Sequence, residues 1–141
     1  MANIIYDMFM SEKAKGNIDW INDDLQVCLL ASTYTPSKSD DYYANINSHE
    51  LSSGGGYTTG GKNIDVGGTR SVTISSHQLI YDGDNVEWLS STLTARYAVI
   101  YHVITGVLIA CFDFVTNKVS SNETFKIEWS PSGIFTEEQA T

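Results

Sequence analysis

Along most of this chain apolar and polar residues alternate rather than recur at helical spacing, and that contrast sets the expected fold. Residues 3–15 are the exception. There Ile4, Ile5, Met8 and Phe9 fall on one helical face, Asp7, Glu12, Lys13 and Lys15 fall elsewhere, and Gly16 supplies a stop. This segment predicts a short amphipathic helix, either packed on its own domain or serving as an arm on a neighbouring subunit. After Gly16 the period changes to that of strands. Residues 25–31 read as a strong strand. Residues 71–74 alternate, with Val72 and Ile74 on one side, and residues 78–81 read as a further strand closed by the turn Asp82-Gly83-Asp84-Asn85. Residues 96–104 and 107–114 are rich in β-branched and aromatic side chains, and Thr105-Gly106 predicts a two-residue hairpin between them. Both faces of these two segments are apolar, so they are expected to be central strands with Ile100, Ile109 and Phe112 buried. Phe125, Ile127 and Trp129 alternate with Lys126 and Glu128, which predicts a strand with one wet face and a buried Trp129.

Between these segments lie two passages of different character. Residues 34–47 are polar and tyrosine-rich and contain Pro36, which predicts a long irregular connection suited to outside contacts. Residues 54–68 hold seven of the 11 glycines around Asn63-Ile64-Asp65-Val66, predicting tight turns or a flexible loop about one short strand. Several short strands with no helix-length segments between them indicate a mainly β chain, an antiparallel sandwich or barrel with a short N-terminal helix. The expected organisation is a single domain over residues 1–141, with a helix or arm at 1–16, a β-rich body at 17–136 and a polar tail at 137–141.

Composition narrows the function. Hydrophobic residues are 42% and charged residues 18% of 141, a globular balance with enough chain for a substantial core. Eight basic against 17 acidic residues give a net charge of −9, which argues against nucleic acid and against an anionic membrane as partners. The apolar run 97–114 is broken by His102, Thr105, Gly106 and Asp113, and the N-terminus lacks the pattern of a secretory signal, so a soluble protein made in a cytoplasm is expected. Cys28 and Cys111 each sit in an apolar strand-like run. Two buried thiols are favoured there over a disulfide.

Candidate chemistry is sparse. Gly56-Tyr57-Thr58-Thr59-Gly60-Gly61-Lys62 has the spacing of a phosphate loop, but Asn63 stands where Ser or Thr belongs and no helix can follow. His49, His77 and His102 are scattered, His49-Glu50 is a poor joint metal site, and the acidic turn at 82–85 lacks calcium-loop spacing. No catalytic residue, cofactor or metal is expected, and the chain reads as a non-enzyme. Arg96 opens an apolar strand, either as a surface residue or paired with a carboxylate such as Asp113 or Glu87. The tryptophans and tyrosines could stack on sugars, although Trp88 and Trp129 lie in core-like patterns.

Ala2-Asn3-Ile4-Ile5-Tyr6-Asp7, Ile18-Asp19-Trp20, Leu25 to Leu30, Gly56-Tyr57, Asp84 to Trp88, Thr92 to Tyr101, Asp113-Phe114, Phe125 to Trp129 and Gly133-Ile134 together form a loose pattern over nearly the whole chain. In it the chain resembles a family of small virion-structural proteins of tailed phages and prophages. The resemblance implies a particle component made in the bacterial host cytoplasm and located in the virion. It would decorate the capsid or form a head-fibre base, partnered by the major capsid protein or other virion proteins and by its own copies. A neck or tail component is the alternative within that class, and a carbohydrate-binding module for host recognition is the alternative outside it. The residues expected at the protein interface are Ile4, Ile5, Met8 and Phe9 of the N-terminal segment and Tyr34, Tyr42 and Tyr43 of the tyrosine-rich passage.

Overall fold

The computed structural model describes residues 2–64 and 68–138; Asp65, Val66 and Gly67, and residues 139–141, lie outside the described residues. In chain order the elements are β1 (Ala2–Ile5), α1 (Asp7–Ala14), β2 (Leu25–Leu30), α2 (Tyr43–Ile46) with a 3-10 turn after it (Asn47–His49), β3 (Lys62–Asn63), β4 (Ser71–Ser75), β5 (Gln78–Asp82), β6 (Val86–Ser91), β7 (Thr94–His102), β8 (Leu108–Val119), β9 (Glu123–Ile127) and β10 (Phe135–Glu138). The strands form a five-stranded sheet in the order β1-β8-β7-β2-β3, a three-stranded sheet β10-β5-β4 and a two-stranded sheet β6-β9. All these pairs are antiparallel, so the chain is mainly β as its alternation predicts. Among the described residues no helix is long and apolar enough to cross a membrane.

The five-stranded sheet is apolar on both faces, which is why its central strands read as unbroken hydrophobic runs. One face carries Val27, Leu29, Ala98, Ile100, Ala110 and Phe112, packed with Tyr81, Trp88, Phe125, Ile127 and Phe135 of the smaller sheets in a sandwich-like arrangement. The other face carries Cys28, Leu30, Tyr97, Val99, Leu108 and Cys111, under Tyr6, Tyr34 and Ile46. Ile100 and Ile109 are 0% exposed, Phe112 2% and Trp129 6%, as the pattern predicts. Across β2, β7 and β8, Cys28 stands opposite Val99 and Val99 opposite Cys111. The two thiols are free and sit two strands apart, roughly 10 Å by ordinary strand spacing, too far for a disulfide.

Several elements depart from the sequence expectation. The N-terminal segment is not one helix. Residues 2–5 form β1 on the edge of β8, and α1 starts only at Asp7. Ile4 and Ile5 are consecutive β-branched residues, and as a strand they serve both faces of a two-sided sheet at once, Ile4 packing on one cluster and Ile5 on the other. The stop at Gly16 is real. Gly16 has φ 80, its N–H bonds the Lys13 carbonyl and the Asn17 N–H bonds that of Glu12, closing the helix C-terminus in a Schellman motif. The C-terminal segment is not a loose tail from residue 137, because Glu137 and Glu138 extend β10 opposite Leu79 and Gln78. Glu137 also accepts from the Tyr81 hydroxyl and pairs with Lys13 of α1, so it ties strand to helix.

The turn at residues 82–85 closes no hairpin. It carries the chain from β5 in one sheet to β6 in another, held by the Trp20 indole donating to the Asp82 carbonyl at 3.1 Å and the Trp129 indole to the Asp84 carbonyl at 2.7 Å. Between β7 and β8 the connection is five residues, 103–107, rather than two. His102 N–H bonds the Val107 carbonyl, Gly106 N–H bonds the His102 carbonyl, and Gly106 takes φ 79. Ser76 and His77, with φ 51 and 63, form the two-residue primed turn between β4 and β5 without a glycine. Of Val72 and Ile74, which alternation puts on one side of β4, Val72 packs against the core and Ile74 is 78% exposed.

Candidate interaction surface

The tyrosine-rich passage turns inward. Tyr34, 4% exposed, bonds Tyr6 hydroxyl to hydroxyl at 2.9 Å and donates to Asp40 Oδ2 at 2.6 Å. Tyr43, at the start of α2, lies parallel to Tyr101 with centroids 4.5 Å apart. Residues 34–50 thus form a lid over the second face of the large sheet, with α2 and the 3-10 turn in place of an irregular connection. Their centre is Glu50, which the sequence reading weighed only as a metal ligand beside His49. Its carboxylate accepts from the Tyr43 hydroxyl, from the Tyr57 hydroxyl and from the Gly60 N–H at 2.8 Å, while Tyr57 accepts from the Leu29 N–H at 3.0 Å. Burial above all, and the Glu50 carboxylate beside them, push both tyrosine hydroxyls well above the ordinary tyrosine range. The one sequence signal for this hub is a lone glutamate between two tyrosine-bearing segments.

The predicted interface residues therefore do not form one surface. Phe9 is 0% exposed, its ring edge-on to Tyr81 and Phe135, and Tyr34 is inside the lid, so both belong to the chain's own packing. Ile4, Ile5 and Met8 are partly buried against the two cores, and Tyr43 is held by Glu50 and Tyr101. Tyr42 alone of the seven is an exposed large apolar side chain.

Tyr42 sits where three segments meet around the β7–β8 loop. Tyr42 bridges Val107, the Tyr43 N–H donates to the Gly106 carbonyl at 2.7 Å, and the Leu108 N–H donates to the Asp41 carbonyl at 2.9 Å. From the other side the Val103 N–H donates to the Asp24 carbonyl at 3.0 Å. Under the loop, buried His102 holds Asp23 Oδ2 through Nε2 at 2.8 Å and Thr105 Oγ1 through Nδ1 at 2.7 Å. This hydroxyl, imidazole and carboxylate have the order of a nucleophilic triad, but the Val107 N–H already donates to the Thr105 hydroxyl, and the three groups together pin the loop. The result is a fixed tip that shows Val103 and Ile104, 38% and 80% exposed, with Ile21 and Tyr42 on the flanking segments at 41% each. Asp19, Asp23, Asp24, Asp40 and Asp41 lie on those same flanks, with the Arg70 guanidinium donating to the Trp20 carbonyl at 2.8 Å on the side of Asp19. Sequence periodicity gave no warning of the tip, since Val103 and Ile104 continue the apolar run of a core strand.

The remaining motifs resolve into structure. The stretch from Gly56 to Lys62 leads into β3 rather than a helix, and its glycines allow close backbone approach. A Cβ on Gly61, at φ 88, would lie 1.8 Å from the Val27 carbonyl oxygen, and one on Gly55 2.5 Å from that of Thr92. Arg96 pairs with Asp113, Nε to Oδ1 at 2.8 Å and Nη2 to Oδ2 at 3.4 Å, and holds that carboxyl below the usual carboxylate range. Asp113 Oδ1 also accepts from the Val115 N–H at 2.7 Å, in a kink where Val115 has φ 74. Beyond the kink a groove of about 500 Å³ opens between β8 and β9, lined by Phe114, Thr116, Lys118, Lys126, Ile127 and Glu128. Among the described residues no group of three or more His, Cys, Asp or Glu side chains could hold a metal ion. Searches against protein-family models, curated proteins and solved structures gave no match to this chain.

Proposed function

We propose that this chain is a structural, non-enzymatic component of a tailed-phage particle that binds other virion proteins by surface complementarity. Capsid decoration or a head-fibre base is its leading position and the major capsid protein its leading partner. The observation that carries this reading is the loop tip at residues 103–106, where Ile104 is 80% exposed on a rigid, hydrogen-bonded mount. Clustered bare apolar side chains on a fixed scaffold mark contact sites, and a carboxylate rim sets the charge of the surface they fit. The resemblance carried by the opening Ala2 to Asp7 and the block Thr92 to Tyr101 supports the same class. On a shell with many equivalent positions, weak single contacts add up. A sugar platform lacks its tryptophans, since Trp20, Trp88 and Trp129 are 4%, 3% and 6% exposed.

Co-sedimentation with particles lacking this protein tests the reading. Dilute parent protein is expected to pellet with such particles, and Tyr42→Ser to pellet at least about tenfold less at equal concentration with an unchanged circular-dichroism spectrum. Failure of the parent to pellet with any such particle overturns the proposal.

A further inference from the structure

We propose that copies of this chain dock head to tail, the 103–106 tip of one copy seating in the groove between β8 and β9 of the next. The two surfaces lie toward opposite ends of one strand. Leu108 adjoins the tip and Lys118 lies ten residues further along β8, roughly 34 Å at ordinary strand rise. The groove exists because β1 pairs with β8 only as far as Asp113, and the Val115 kink turns the strand beyond it. Phe114 is the apolar side chain the groove offers, beside the polar Thr116, Lys118, Lys126 and Glu128, and its volume of about 500 Å³ has room for the Val103 and Ile104 side chains.

Charge selects this occupant. Among the described residues, Lys13, Lys15 and Arg96 are taken up in ion pairs, whereas Lys38, Lys62, Lys118 and Lys126 make none, and two of these, Lys118 and Lys126, stand together at the groove. Lys118 Nζ is instead held over the Phe125 ring, 5.4 Å from its centroid. At the tip, Asp24 and Asp41 likewise make no ion pair among the described residues, and their backbone carbonyls fix them beside Val103 and Leu108. Uncommitted carboxylates thus frame the apolar plug, and two uncommitted ammonium groups against one carboxylate, that of Glu128, frame the socket. At physiological ionic strength the screening length is about 8 Å, so these local charges act while the net charge of −9 is largely screened between copies. Plug and socket are different surfaces, so the contact is heterologous and copies add one to the next in a stack, which stays open unless the rotation between neighbours closes it into a ring. One tip stays free at the end of every open stack.

Stacking is tested without particles, on the pure full-length chain, by sedimentation velocity. A contact this small is weak, so the range is about 10 μM to about 1 mM at physiological salt. The parent is expected to grow past dimer with concentration. Ile104→Asp, and the double variant Lys118→Glu with Lys126→Glu, are each expected to weaken association at least about tenfold while keeping the parent's circular-dichroism spectrum. An equimolar mixture of the two variants should give a dimer and nothing larger, since one keeps the socket and the other the plug. A parent that stays monomeric throughout overturns the proposal, as does either folded variant that stacks like the parent or a mixture of folded variants that stays monomeric. Particle binding without stacking overturns this proposal alone, and stacking without particle binding overturns the particle reading alone.

Discussion

Glu50 shows how a single side chain can organise a lid. Two tyrosine hydroxyls and the Gly60 N–H converge on its carboxylate, and one of those tyrosines, Tyr57, is 2% exposed. Removing the acceptor strands the buried Tyr57 hydroxyl and releases the partly exposed Tyr43 and Gly60 donors, so Glu50→Ala is expected to cost about 2–3 kcal/mol. Glu50→Gln keeps one acceptor oxygen and should cost less than half as much. Urea denaturation followed by tryptophan fluorescence measures both, with an unchanged slope showing that the folded and unfolded states are otherwise comparable. Single residues were legible in the sequence where their type admits few uses. Arg96, opening an apolar strand, admitted a surface place or a carboxylate partner such as Asp113 or Glu87, and the structure pairs it with Asp113. Glu50 was opaque because its partners lie 7 and 10 residues away in chain segments whose folding back the sequence does not reveal.

At the scale of elements, strands with one consistent demand were readable and segments with two were not. Residues 97–101 of β7 and 108–112 of β8 are unbroken apolar runs that read as central strands, while β9 alternates between dry and wet. The first residues meet both templates at once, since Ile4, Ile5, Met8 and Phe9 satisfy a helical stripe as well as a short strand followed by a helix. Pairing with β8 decides between them, and that partner lies more than a hundred residues away. The element that most depends on tight packing is β8. Phe112 contributes to the larger core cluster and lies against Trp129 at a centroid distance of 4.9 Å. Phe112→Ala is therefore expected to lose about 3–5 kcal/mol, read as a lowered denaturant midpoint. A midpoint equal to that of the parent would place Phe112 outside the core.

For the molecule as a whole, a two-sided central sheet with a layer on each face was foreseeable from the apolar runs, whereas the identity of each cover was not. Residues 34–50 looked like a surface for others and instead complete the fold, so the exposed apolar groups end up elsewhere, at the loop tip. The register that sets Val99 between Cys28 and Cys111 has a consequence for the molecule's life in changing surroundings. Burial pushes the Cys28 thiol well up and that of Cys111 up to about 12, so neither offers a thiolate to an oxidant at neutral pH. Peptide mapping after mild oxidation of the native protein should show both cysteines unmodified, and both thiols should react with a thiol reagent only once denaturant is added. With no bridge to make or break, reducing and oxidising media meet the same covalent chain, and passage from one to the other requires no chemical maturation of its fold.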